Sequence, residues 1–270
     1  MVMWWVQALS LDAILLLMFS WARRRQIIYG GGVLVFLLII FGVPFIVKKI
    51  SGPSCSDGKK NGIEEEIDCG GACPRLCRDE SWALSIVWQR VFREGGGVAS
   101  ALLYGENFYK TGGVFDAQYY VKVYDTAGVL IAEKETIGSI LPGSSFAIFA
   151  PNFYAGERVP VRAIFEQRAP FEWRQDVPKA STIRTESIQL STTPQTRVEA
   201  VLFNSGEKTL KARAAAILYN ANGNAIGASE TTASLRGGAR VPISFFWRAP
   251  FSETPVRAEI ISSVSAMEAQ

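Results

Sequence analysis

Histidine is absent from all 270 residues, which removes the commonest general base, proton shuttle and metal ligand from any mechanism. The chain also lacks a Gly-x-Ser-x-Gly elbow and a phosphate-cradling Walker loop. Cysteine occurs only at Cys55, Cys69, Cys73 and Cys77, all within 23 residues, so no thiol is left elsewhere to act as a nucleophile. Carboxylates such as Glu133, Glu135 and Glu166 sit in strand-like runs and read as a solvated face. These absences argue against catalysis.

A concentration of positive charge is missing as well. The net charge is +3, but Arg23, Arg24, Arg25, Lys48 and Lys49 all flank apolar segments. Beyond residue 49 there remain 23 basic against 24 acidic residues, so a nucleic-acid face has no support in composition. With 49% apolar and 20% charged residues the chain is long enough, and apolar enough, for a sizeable core.

From Ile27 to Val47 no residue is charged, and at about 1.5 Å per residue this stretch spans a bilayer core of about 30 Å. It reads as an uncleaved signal anchor. The Arg23-Arg24-Arg25 triplet before it outweighs Lys48 and Lys49 after it, which favours a cytoplasmic N-terminus and an extracytoplasmic remainder. An earlier segment, Trp4 to Trp21, carries Gln7, Ser10 and Asp12. Two readings stay open for it: an interfacial helix with Trp4, Trp5 and Trp21 in the headgroup layer, or a second span in which Asp12 makes an intramembrane contact.

Residues 55–77 are dense in turn formers, with Gly58, Gly62, Gly70, Gly71 and Pro74 among them, and need a staple because no regular core forms there. Four thiols give two disulfides in one of three pairings that the sequence leaves open. A zinc site of four thiolates is the weaker reading, since the spacings lack two short Cys pairs. Asp57, Asn61, Glu64 and Asp68 offer hard oxygen ligands suited to Ca²⁺, the alternative being that they cap turns beside the disulfides. No other cofactor is expected. The run Cys55, Asp57, Gly58, Asn61, Gly62, Glu64, Asp68, Cys69, Gly70, Gly71 and Cys73 resembles a short cysteine-rich module of secreted and surface proteins, of the form C-x-D-G-x-x-N-G-x-E-x-x-x-D-C-G-G-x-C. More loosely it is similar to calcium-binding thrombospondin-type repeats.

A shift of 95 residues superposes Tyr124-Asp125-Thr126-Ala127-Gly128 on Tyr219-Asn220-Ala221-Asn222-Gly223, and Pro160-Val161-Arg162-Ala163 on Pro255-Val256-Arg257-Ala258. Two copies of one domain are present. Lys211 and Arg213 alternate with Ala212, Ala214, Ala216 and Leu218, and the first copy places Tyr119, Val121 and Val123 at the matching inward positions, so one face reads as core and the other as solvent. Asp125 and Asn220 are expected to cap hairpin turns completed by Gly128 and Gly223. Six or seven short strands per copy, with turns every 8 to 15 residues, predict tandem antiparallel β-sandwiches.

The chain thus divides into an N-terminal helix (1–25), a membrane helix (26–49), a cysteine module (50–81), a first sandwich (82–168), a stiff proline-bearing linker (169–181), a second sandwich (182–263) and a tail (264–270). Asn204-Ser205-Gly206, Tyr124-Asp125 and Pro142-Gly143 resemble the turns of FxLYD-type Ig-like domains. The whole layout is similar to envelope proteins of small-genome candidate-phylum bacteria, a likeness that implies no activity. Trp88 and Trp247 read as core. Trp173 and Phe171 in the linker read as packing between domains or facing a partner. The expectation is a membrane-anchored extracytoplasmic binding or scaffold protein with a protein or glycan partner, or else an accessory subunit of a larger membrane complex.

Overall fold

The computed structural model describes residues 8–43 and 54–265, and the chain forms two compact units, Met1–Gly62 and Ile63–Gln270. In the first unit a single helix, α1 (Ala8–Leu37), runs into a wider turn of helix over Leu38–Gly42. This corrects the expectation of two N-terminal helical segments. The Arg triplet changes the charge of the chain, but arginine is a good helix former and no cap, glycine or proline lies beside it to stop the helix. Arg25 instead stacks its guanidinium over the Trp21 ring, 4.0 Å from its centre. Across the end of α1 and this wider turn, the 20 residues Arg23–Gly42 reach a mean hydropathy of 1.8, long and apolar enough to cross a bilayer as an anchor or to serve as a signal sequence. Trp4, Trp5, Lys48 and Lys49 lie outside the described residues.

The regular structure described in the second unit is antiparallel β apart from two three-residue helical turns. In the first repeat, β1 (Leu84–Gly95), β2 (Val98–Asn107) and β5 (Ser145–Tyr154) form one sheet in the order β1-β2-β5. Facing it are β3 (Gly113–Asp125), β4 (Leu130–Ile140) and β6 (Pro160–Gln167) in the order β4-β3-β6, with the short β7 (Trp173–Arg174) also paired to β3. The second repeat reproduces this arrangement. Its sheets are β12-β9-β8 and β11-β10-β13, built from β8 (Ile183–Ser191), β9 (Arg197–Asn204), β10 (Leu210–Tyr219), β11 (Ala225–Leu235), β12 (Arg240–Phe246) and β13 (Arg257–Val264). The inward positions are those of the alternation: Tyr119, Val121 and Val123 are buried in one core, and Ala212, Ala214, Ala216 and Leu218 in the other.

The turns have local causes. Asp125 accepts from the amides of Ala127 and Val129 at 2.9 and 2.8 Å, and Asn220 from those of Asn222 and Asn224 at 3.1 and 2.8 Å. Gly128 and Gly223 adopt φ of 77° and 76°, a region glycine enters without steric cost. A second pair of equivalents, Asn107 and Asn204, clips the sheets together from the interior. Asn107 donates to the carbonyls of Gly112 and Leu141 and accepts from the Tyr109 amide. Asn204 donates to Lys208 and Leu235 and accepts from Gly206. Both are fully buried.

Each repeat also covers one face of the other, where solvent was expected. Phe92, Leu102, Ala147 and Phe149 from the outer face of β1-β2-β5 pack with Ala215, Ile217, Tyr219 and Ala228 from the outer face of β11-β10-β13. Both faces of β2 and of β10 are therefore buried. Around this seam Arg90 donates to the Ala225 carbonyl at 3.0 Å and Arg213 to the Ile137 carbonyl at 2.9 Å. The pairing is head-to-tail, which leaves the two equivalent faces at the ends of the stack, and both carry charged side chains where the seam is apolar. Where the second repeat has Ala215, Ile217, Ala228 and Ile261, the first has Tyr120, Lys122, Glu133 and Glu166, and Lys122 pairs with Glu166 at 2.6 Å. Where the first has Ser100, Leu102 and Phe149, the second has Arg197, Glu199 and Ser244, with Arg197 and Glu199 paired at 3.3 Å.

Three outcomes follow from these contacts. Asn204→Ala strands buried carbonyls and should lower unfolding free energy by about 2–4 kcal/mol in denaturant titrations. Ile217→Lys, which installs the first repeat's residue at the seam, should cost about 3 kcal/mol or more by burying an unpaired charge. The third concerns acid. The Val129 amide chiefly, with Arg158 and the Ala127 amide, outweighs desolvation and holds the Asp125 carboxyl below its ordinary value of 3.8. Its stabilisation is complete above pH 3.8 and is lost as the pH falls through the lower folded value. Asn220 cannot titrate, so amide exchange below pH 3.8 should rise in the β3–β4 turn and not in the β10–β11 turn.

Candidate functional site

The linker is held on both sides. After β6 the chain loops out over Ala169–Glu172 and returns as β7, which pairs Trp173 and Arg174 with Val114 and Gly113 of β3. On its other side β7 meets the cysteine module. The Leu76 amide donates to the Trp173 carbonyl at 2.8 Å, the Gln175 amide to Pro74 at 2.8 Å, and the Gln175 side chain to the carbonyls of Gly71 and Cys73 at 3.1 and 2.7 Å. Gly71, Cys73, Pro74 and Leu76 all lie inside the ring closed by the Cys69–Cys77 disulfide. The ring's backbone is thus the template on which β7 is laid.

Trp173 is 1% exposed, set edge-on to Tyr109 with ring centres 5.9 Å apart. Its indole N–H donates to Asp79 Oδ1 at 3.0 Å. The Ser81 hydroxyl chiefly, then the Ser81 amide and this indole, hold the Asp79 carboxyl below its usual value despite desolvation. These contacts overturn the reading of Trp173 as a partner contact or an inter-domain wedge, for it belongs to the core of the first repeat. Phe171 is half-buried, tilted against Tyr119 with ring centres 6.0 Å apart.

Between the segment paired to β7 and the segment paired to β6, β3 bulges at Asp116, whose φ is 45°. A cleft of about 770 Å³ opens there, walled by Phe115 to Gln118, by Ala169 to Glu172, and from the second repeat by Lys208, Leu210, Val264 and Ser265. Arg174 crosses its rim, making two bonds to Asp176 at 2.8 and 2.7 Å and lying 6.0 Å over the Phe115 ring. Asp176 is correspondingly held below the usual carboxylate range, chiefly by that bonding. Ring faces, two prolines and charges of both signs line it, and its size lies within the usual range of ligand pockets.

The other sequence-derived residues are placed as follows. Every cysteine is disulfide-bonded, which bears out the disulfide reading over a four-thiolate zinc site. Glu66 lies beside Cys69 and Cys77, but those sulfurs are joined to each other. In the first unit, Asp57 accepts from the Lys59 amide at 3.0 Å and from the Asn61 side chain at 2.7 Å, the turn-capping role. In the second, Glu64 and Asp68 are half-buried and Asp68 has φ of 57°. Trp247 is buried as expected, while Trp88 is half-buried at the seam, stacked on Tyr104 at 5.3 Å.

No family model matches this chain, and neither does any curated protein. The cleft went unread in the sequence because its walls come from segments some 90 residues apart that carry no shared motif. Proline at 170 and 178 was the one local sign of a rigid wall.

Because the ring's backbone holds β7, reducing the disulfide should loosen the linker wall of the cleft. With a dithiol present, amide exchange across residues 169–178 should rise well before that of β10, and Gln175→Ala should raise it without reductant. Unchanged protection of the linker after full reduction would separate the ring from the cleft.

Proposed function

We propose that this chain is a membrane-anchored binding or scaffold protein of the cell envelope, with α1 as anchor, residues from about 50 onward outside the cytoplasm, and the paired sandwiches, Ig-like in kind, presenting the inter-repeat cleft to a protein or glycan partner. The observation that carries this reading is the burial of both faces of β2 and β10, which fixes the cleft's walls relative to each other. A preformed site avoids part of the ordering cost of binding. The oxidised cysteines fit an oxidising compartment, and the missing histidine weighs against a catalytic role. Calcium is the ion that the module's oxygens suit; calorimetry of the solubilised chain giving no heat with millimolar Ca²⁺ would remove it.

The continuity of α1 through Asp12 gives the second reading, a subunit of a larger membrane complex, its specific support. Deleting residues 1–22 leaves the apolar stretch intact, so anchoring should persist; loss of co-purifying proteins on that deletion would favour the complex. Sidedness is tested by adding protease to intact cells. A C-terminal epitope should be removed without lysis, and its protection until lysis would contradict the orientation.

A further inference from the structure

The two repeats differ at one end of the sandwich. In the first, β5 runs on to Tyr154 and stays paired with β2 as far as Val98, so strand fills that end. In the second, β12 stops at Phe246 opposite Arg197, and the chain turns instead through residues 192–196 and 247–256. These two segments line a cavity of about 340 Å³, at the small end of the range of ligand pockets. Its walls are held together. The Trp247 amide donates to the Thr196 carbonyl at 3.1 Å and the Gln195 side chain to the Trp247 carbonyl at 3.0 Å, while Pro194, Pro250 and Pro255 stiffen the lining.

We propose that this cavity binds an acidic sugar unit, a ring that carries a carboxylate beside its hydroxyls. The site is separate from the inter-repeat cleft and does not rest on membrane anchoring. Three features select that chemistry. Among the described residues Arg248 is the only ionisable side chain in the lining, and it forms no ion pair. The neighbouring carboxylate, Glu253, is engaged by the Asn220 side chain, so the cavity offers a guanidinium to an anion with no acid opposing it. Donors are in excess. No hydrogen bond among the described residues takes the amides of Ala249, Phe251 and Thr254, or the hydroxyls of Thr192, Thr196 and Thr254. Thr196 is only 9% exposed, and a hydroxyl so enclosed is costly unless something entering the cavity meets it. Trp247 and Phe251, tilted with ring centres 6.2 Å apart, supply the apolar surface that ligand pockets combine with a few placed polar groups. A carboxylate satisfies Arg248 and the amides, and ring hydroxyls, which both donate and accept, meet the threonines.

Ligand-observed NMR titration of the full chain in detergent micelles, with galacturonate, galactose and acetate as probes, tests this. Galacturonate should bind about tenfold or more tightly than either of the others, since it alone combines the charge with the hydroxyls. Arg248→Gln should bring galacturonate down to the level of galactose, and because Arg248 is exposed an unchanged near-ultraviolet spectrum checks that the fold is kept. Thr196→Val should weaken both sugars. Equal affinity for galacturonate and galactose, acetate binding as tightly as galacturonate, or no saturation transfer to any probe overturns the proposal. Galacturonate binding that Arg248→Gln leaves unchanged places the sugar elsewhere, the inter-repeat cleft included, and overturns it as well.

Discussion

Leu102 and Phe149 of the first repeat, set against Ala215 and Ile217 of the second, are the contact on which the rest of this protein depends. Burying side chains of this kind is worth about 1.5–3 kcal/mol each for the larger ones, and here it is spent between repeats as well as within them. A sandwich of roughly eighty residues buries a modest share of its surface alone. Stacked, the two share a third core, and the linker is no longer a hinge. The cleft beside Phe115 and Phe171 is a by-product of that stacking, since one of its walls belongs to each repeat.

The two end faces of the stack carry charge where the seam between the repeats is apolar. A head-to-tail contact has no internal reason to close. Lys122 and Glu166 at one end, with Arg197 and Glu199 at the other, replace apolar residues by ion pairs that water solvates better than a neighbouring sheet would. The repeats have kept common interiors and diverged on their outer faces. The cysteine ring adds a third constraint, because its carbonyls and amide complete the hydrogen bonding of β7 and so seat Trp173 in the core.

Much of this was legible in the sequence where the cause is local. An Asp or Asn three residues before a glycine dictates its own turn, and alternating apolar positions dictate an inward face, so the two sandwiches could be read from Asp125, Asn220, Val121 and Ala214. The seam was harder. Ala214-Ala215-Ala216-Ile217-Leu218 is apolar without alternation, the pattern of a strand covered on both sides, but Lys211 and Arg213 at its start impose an alternating reading. Trp173 misled for a related reason: between prolines it looks like linker, and its burial depends on Asp79, Tyr109 and the disulfide ring. The helix boundary at the Arg triplet failed because a run of charge does not by itself end a helix.

The account stands on the two repeats behaving as one cooperative body. Native-state hydrogen exchange of the intact chain in rising denaturant reads this directly, through the amides of Leu102 and Ile217. Both should open with the same free energy and the same denaturant dependence. Opening of Ile217 at lower denaturant, with Leu102 still protected, would show two independent sandwiches on a tether and would contradict the shared core.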